Sequence, residues 1–203
     1  GAVALADGAV QGLRLGSEQQ VVEKFIIPPA ILGKQQATSV AISMKGEKLA
    51  IGTASGNVFV VSGLDDLTSI SDRVVSVAAH KRGITDICFG KDGTLWTASE
   101  DRSVRSWKQA PDGSLLEEVV GWHFLPVRQI AIADQGRGTF LAAVVGDGRS
   151  GKVVVWEQVQ QGNGSALQLL GRMSDHSAPP SAVTFDRSGQ RVASGDLAGN
   201  VLV

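Results

Sequence analysis

Three groupings of residues in this chain have the types and spacing to do chemistry. The first is a histidine, a serine and an aspartate within 22 residues: His80, Ser99 and Asp101. In a hydrolase such a set moves a proton from the serine hydroxyl to an imidazole that the carboxylate orients. That chemistry also needs the serine on an exposed elbow beside an oxyanion hole. Ser99 instead closes the run LWTAS, which reads as a strand, so no nucleophile is expected there. The second grouping is VVGDGRSGKVVVW, where Gly146, Gly148 and Gly151 have dinucleotide-fingerprint spacing and Gly146 to Lys152 match the first seven positions of a phosphate-binding loop. Both readings need a helix whose N-terminal amides hold the phosphate. The next residues, Val153-Val154-Val155-Trp156, read as a strand, and Val153 replaces the hydroxyl residue that would meet magnesium. A lengthened hairpin turn is the expected reading. The third is the set of three histidines, His80, His123 and His176, which are 43 and 53 residues apart. Without a cysteine set or a close histidine pair, they are expected one per structural unit and not as metal ligands. Neither a metal nor a cofactor is expected.

The elements that hold these residues are short alternating strands. VAIS (from Val40), DICF (from Asp86), QIAI (from Gln129) and AVTF (from Ala182) read as half-buried strands. After three of them comes a turn ending in glycine, at Gly46, Gly93 and Gly189. Second strands begin at Lys48, Leu95, Phe140 and Arg191, and third strands are VFVV, VRSW, VVVW and the final VLV. Looser fourth segments begin at Val74, Leu115 and Leu167. The whole arrangement repeats. Gly8-Ala9-Val10, Gly56-Asn57-Val58, Arg102-Ser103-Val104, Gly151-Lys152-Val153 and Gly199-Asn200-Val201 are spaced by 48, 46, 49 and 48 residues. Four antiparallel strands per period of about 48 residues describe a propeller blade.

Composition narrows the function classes. The 203 residues are 43 % hydrophobic, which supports a real core, and 25 glycines fit many tight turns. With 19 Lys+Arg against 20 Asp+Glu, the formal charge of -1 gives no global field to attract nucleic acid or an anionic membrane. One cysteine, Cys88, excludes a disulfide framework within the chain, and an intracellular compartment, cytoplasmic or nuclear, fits best. The start GAVALADGAV lacks a basic flank, and no run of about 18 apolar residues occurs, so neither a signal peptide nor a membrane-spanning helix is expected. Asn163-Gly164-Ser165 would be a glycosylation sequon only in a secreted protein.

The segment His80 to Lys108, HKRGITDICFGKDGTLWTASEDRSVRSWK, resembles a WD40 repeat: a histidine, an Asp-Gly turn, Ser-x-Asp, then tryptophan. The unit from His123 keeps the histidine and Trp156-Glu157, and the last, from His176, keeps ASGD and GNV. Val61-Ser62 stands where the Trp-Asp pair would be in the unit before His80, and Leu13 in the first. The resemblance therefore covers nearly the whole chain and is weakest at its N-terminal end. It implies an all-β WD40-type β-propeller, present as four to five partial or complete four-stranded blades of a seven-bladed ring. The units run over 1–36, 37–83, 84–126, 127–180 and 181–203, with three strands in the first and last. An unclosed ring exposes strand edges, so the remaining blades are expected from the same longer chain or another subunit. The resemblance also implies a structural tetrad of His80, Ser99, Asp101 and the Trp107 indole. A tryptophan packed between blades needs a partner for its N–H, and an aspartate holding the histidine tautomer can supply one through a hydroxyl.

Members of this family commonly use the loops on one face for recognition, so the expected function is a non-catalytic scaffold for protein or peptide partners in a larger complex. The candidate contact residues are Lys81, Arg82, Arg102, Trp122, His123 and Phe124. Trp122 to Pro126 is apolar for a loop, and tryptophan and arginine dominate binding hot spots. Lys81, Arg82, Arg102, Arg105 and Lys108 give the His80 unit a basic cast, read mainly as a solvated face. Two other functions compete with this one. An RNA- or chromatin-associated propeller would use that basic cast, but no aromatic residues interleave it. A propeller enzyme with its site in the central channel would need acids, bases or metal ligands on the inner strands, which read as Ala, Val, Ile, Ser and Thr.

Overall fold

The computed structural model describes all residues except 1, 5–8, 16–20, 65–69, 136–137 and 163. Asn163 of the sequon and Gly8 of the first repeat step lie outside the described residues.

Alternation decides the local structure, and the described residues form five antiparallel sheets in chain order. The first holds β1 (Ala2–Ala4), β2 (Val10–Leu15) and β3 (Val21–Ile27). The second holds β4 (Ala37–Ile42), β5 (Lys48–Thr53), β6 (Asn57–Ser62) and β7 (Val74–Ala78). The third holds β8 (Ile84–Phe89), β9 (Leu95–Ser99), β10 (Ser103–Gln109) and β11 (Leu115–Trp122). The fourth holds β12 (Val127–Gln135), β13 (Gly138–Gly146), β14 (Gly151–Gln161) and β15 (Gly164–Met173). The fifth holds β16 (Pro180–Phe185), β17 (Val192–Asp196) and β18 (Val201–Leu202). Strands succeed one another as hairpins, which makes each sheet a meander.

The sheets pack face to face, and the cores lie between them. Ala50, Val58 and Val60 of the second sheet pack with Ile84, Ile87, Leu95 and Trp107 of the third. Leu49, Ile51, Phe59 and Val61, on the other face of the same strands, pack with Val10, Phe25 and Ile27 of the first. Central strands are thus buried on both sides, so they read as unbroken apolar runs instead of half-buried alternation. Trp96, Ala98 and Val104 continue the pattern against Val127, Ile130, Leu141 and Trp156.

The first strands of successive sheets, β4, β8, β12 and β16, stand side by side. Each opens with a register shift after its first residue, between Ala37 and Ser39, Ile84 and Asp86, Val127 and Gln129, and Pro180 and Ala182. Such a bulge turns one side chain out of the pleat. Thr38 Oγ1 donates to the Ile84 carbonyl at 2.6 Å, and Thr85 Oγ1 to that of Val127 at 2.6 Å. One residue further on, Asp86 Oδ2 accepts from Ile130 N–H at 2.9 Å, and Gln129 Oε1 from Val183 N–H at 2.9 Å. The inner strands therefore carry a carboxylate and an amide, Asp86 and Gln129, beyond the Ala, Val, Ile, Ser and Thr that the sequence reading gave them. Asp86 and Gln129 are there because each ties its sheet to a backbone amide of the next.

Candidate functional site

The loops that enter β8, β12 and β16 each place a histidine four residues before the strand: His80, His123 and His176. In the third sheet this position builds a closed relay. His80 Nδ1 lies 3.0 Å from Asp101 Oδ2, and Nε2 lies 2.8 Å from Thr97 Oγ1. The Trp107 indole N–H donates to the same Thr97 oxygen at 3.0 Å. Ser103 Oγ donates to Asp101 Oδ1 at 2.6 Å, and the carboxylate also accepts from Lys81 N–H at 3.0 Å. Burial lowers the pKa of His80 despite the opposing pull of the Asp101 charge. A neutral imidazole with its proton on Nδ1 then satisfies every group, running from indole to hydroxyl to imidazole to carboxylate. Burial raises Asp101, but its bonds from Ser103, His80 and Lys81 outweigh that and hold it below the usual carboxylate range.

Ser99 is not part of this relay. Its hydroxyl donates to the Arg82 and Gly83 carbonyls, at 3.1 and 2.9 Å, and accepts from Asp101 N–H. Thr97 takes the expected place because β9 and β10 pair Leu95 with Trp107 and Thr97 with Arg105, which makes Thr97 the diagonal neighbour of Trp107 on the same face, within reach of its indole. Residues 97 and 99 share a face of the strand, so the alternation was legible but the level along it was not. Ser99 lies buried in a strand with its hydroxyl bonded to backbone, an arrangement that presents no nucleophile.

His176 repeats the pattern, with Nε2 2.7 Å from Ser194 Oγ and Nδ1 3.3 Å from Asp196 Oδ2. His123 does not. Ala143 stands opposite Ile130 as Thr97 stands opposite Ile87 and Ser194 opposite Val183. The hydroxyl is therefore missing, and His123 Nε2 is buried without a hydrogen-bond partner. The imidazole packs edge-on to Trp156 instead, with ring centroids 4.8 Å apart. Burial, helped by the Lys152 charge, lowers its pKa to about 4.

A cavity of about 240 Å³ opens at this broken relay, between the third and fourth sheets. Trp122, His123 and Phe124 line it together with Trp156, Lys152 and Arg172. Trp122 closes β11 opposite Ser103 and so belongs to a strand end instead of the loop, with Arg105 stacked 5.6 Å from its ring centre. The structure brings Arg102 to the same corner, where its carbonyl accepts from His123 N–H at 2.8 Å. Lys81 and Arg82 are exposed on the preceding loop and do not line the cavity. Two larger open clefts, of about 410 and 490 Å³, lie among the first-to-second strand turns at the other end of the sheets. Neither contains any of the expected contact residues.

The basic cast of the third sheet is smaller than its sequence implies. Arg105 pairs with Glu117 at 2.6 Å and Lys108 with Glu118 at 2.8 Å, which leaves Lys81, Arg82 and Arg102 without ion pairs among the described residues. The glycine-rich segment Gly146 to Lys152 is a hairpin turn into β14, and its Arg149 and Ser150 amides are both taken by Asp147 Oδ1 at 2.9 Å. Those amides are not free to cradle a phosphate. Among the described residues no three His, Cys, Asp or Glu side chains converge to hold a metal ion. Sequence reading missed Thr97, Lys152 and Arg172 because the first needs strand register and the other two, 29 and 49 residues beyond His123, come level with it only through the pairing of β13, β14 and β15.

The family model described as WD domain, G-beta repeat matches residues 71–108, which span β7 to the Trp107 strand. No curated protein sequence matches the chain significantly. Among solved structures, the beta-propeller domain of Cps50 (Swd1) from Myceliophteria thermophila is similar, with 18 % identity and a TM-score of 0.72. The match covers 98 % of this chain and 63 % of that one, so the present chain spans less than two thirds of that protein's length. At this identity the likeness establishes the fold: the five sheets are blades of a β-propeller, and residues 71–108 match a WD40 repeat.

Proposed function

From a WD40 repeat set among propeller blades, we propose that this chain is a non-catalytic interaction module that binds a protein or peptide partner on its histidine-bearing loop face. WD40 propellers are typically scaffolds, and this reading extends that generality to a specific surface. The observation that carries it is the pair Trp122 and Phe124, 62 % and 96 % exposed, flanking one cavity. Two aromatic side chains left in water beside a concave, apolar lining form the kind of surface that partners cover. Lys81, Arg82 and Arg102 on neighbouring loops, without ion pairs among the described residues, add a polar rim and favour an acidic partner over a neutral one.

The test compares the proteins retained from native extract by the chain and by a Trp122→Ala/Phe124→Ala double variant with an unchanged melting curve. Both side chains are exposed, so folding is expected to survive while partner retention falls by at least tenfold. Retention of every partner by the folded variant overturns the assignment of this surface. Binding that moves instead with salt, and transfers to a column of nucleic acid, replaces the protein partner with a polynucleotide one.

A further inference from the structure

We propose that the broken relay of the fourth blade is a docking slot for one apolar side chain of an acidic peptide segment, clamped by Lys152 and Arg172. The inference rests on the loop-face assignment of the proposed function and names the chemistry of its partner.

Three observations converge. In the two equivalent positions a hydroxyl fills the space beneath the histidine, Thr97 under His80 and Ser194 under His176. Ala143 supplies no hydroxyl there, and His123 Nε2 is buried facing no donor or acceptor. Held by an edge contact to Trp156 instead of a hydroxyl, the imidazole walls the slot together with Trp156, Leu125, Val145 and Leu169, a lining that suits an apolar occupant. The second observation is size. About 240 Å³ lies below the roughly 300–1,000 Å³ of sites that enclose small-molecule ligands and cofactors, and suits a single large side chain. The third is charge. Lys152 and Arg172 line the slot, no carboxylate does, and neither cation has an ion pair among the described residues. Two uncompensated cations beside an apolar slot match a peptide whose aromatic or leucine side chain stands next to Asp or Glu. Trp122 and Phe124 then close over the peptide as rim contacts, excluding water from the ion pairs.

The test uses immobilised hexapeptide libraries in three sets: Leu, Phe or Trp flanked by Asp and Glu, the same residues flanked by Lys and Arg, and Asp and Glu with no apolar residue. Only the first set is expected to bind, and its best members are expected to quench the fluorescence of Trp122 and Trp156. Lys152→Glu/Arg172→Glu reverses two surface charges and is expected to weaken those peptides at least tenfold at an unchanged melting temperature. Equal binding of the basic set, no binding of the acidic apolar set, or affinities within twofold after charge reversal each overturn the proposal. A native partner lost by the Trp122→Ala/Phe124→Ala variant but kept by the charge-reversal variant overturns the slot and leaves the loop-face assignment standing. A partner kept by both overturns both.

Discussion

Thr97 is the residue on which the third blade's polar network turns. Its hydroxyl accepts from the Trp107 indole and faces His80 Nε2, and all three groups are buried. Thr97→Val keeps the shape and strands two polar groups at once, so a loss of about 2–4 kcal/mol is expected in denaturant unfolding. Ser99→Ala is expected to cost less, since the Gly83 carbonyl that its hydroxyl meets also accepts from Glu100 N–H, which leaves the Asp101 amide in the following turn as the donor that loses its acceptor. Equal losses for the two would return Ser99 to the relay. His123 gives a second measurable consequence. Its folded pKa, about 4, lies below the ordinary histidine value of 6.5. Between those values the unfolded chain holds a proton that the folded chain rejects, so acidification favours unfolding. Stability is expected to be full above about pH 7, to fall by at most about 3 kcal/mol between pH 6.5 and 4, and to level off below. His80, also lowered by burial, steepens the same window. His123→Gln is expected to flatten the slope of melting temperature against pH there, and an unchanged slope would assign it to other groups.

At the scale of elements, the second-to-third strand turns show how a repeat sets backbone and chemistry together. Gly56 and Gly199 occupy this turn at φ 85° and 87°, and a Cβ on Gly56 would sit 2.3 Å from the His80 carbonyl. Arg102 holds the matching place at φ 75°, a left-handed conformation that side chains other than glycine rarely adopt. Its side chain is exposed on the proposed binding face. Under the proposed function the guanidinium there meets the partner. Arg102→Gly is expected to raise stability by about 1 kcal/mol, measured by denaturant unfolding, while weakening partner binding. A destabilised variant would mean that the arginine side chain holds the turn. The repeat steps and the turn glycines are visible in the sequence. The place of Trp122 is not: its apolar neighbours run past the strand end and read as loop, whereas its pairing with Ser103 puts it in β11.

Across the whole molecule, successive blades are joined at their inner strands by a register of hydroxyl and carboxylate bonds as well as by apolar packing. Thr38 and Thr85 reach the carbonyls of the next blade, and Asp86 and Gln129 reach its amides. Burial raises the pKa of Asp86, while bonds from the Ile130 and Ile87 amides and from Ser39 oppose that shift. Asp86→Ala leaves the Ile130 amide unpaired between two blades, so a loss of about 1–3 kcal/mol is expected, with earlier hydrogen exchange at Ile130 than in β13. Simultaneous exchange of β12 and β13 would show that the bond does not separately hold the blades together. Trp122, at the end of the third blade, joins the fourth blade and its entry loop around the cavity beside His123.

By itself, the sequence determined the strands, their turns and the period of about 48 residues, because alternation and glycine act over a few neighbouring positions. It also placed a histidine on each of three inter-blade loops and excluded a phosphate loop, since Lys152 leads into a strand. Tertiary structure alone decided which hydroxyl each histidine meets. That choice depends on pairing register, where a shift of two residues keeps the face but moves the atom by roughly 7 Å. It also decided that Ala143 leaves His123 unpartnered, and that Lys152 and Arg172 gather beside it. Those groups sit on successive strands of one sheet and on the loop that enters it, and pairing register, which local propensity does not encode, decides which of them come level.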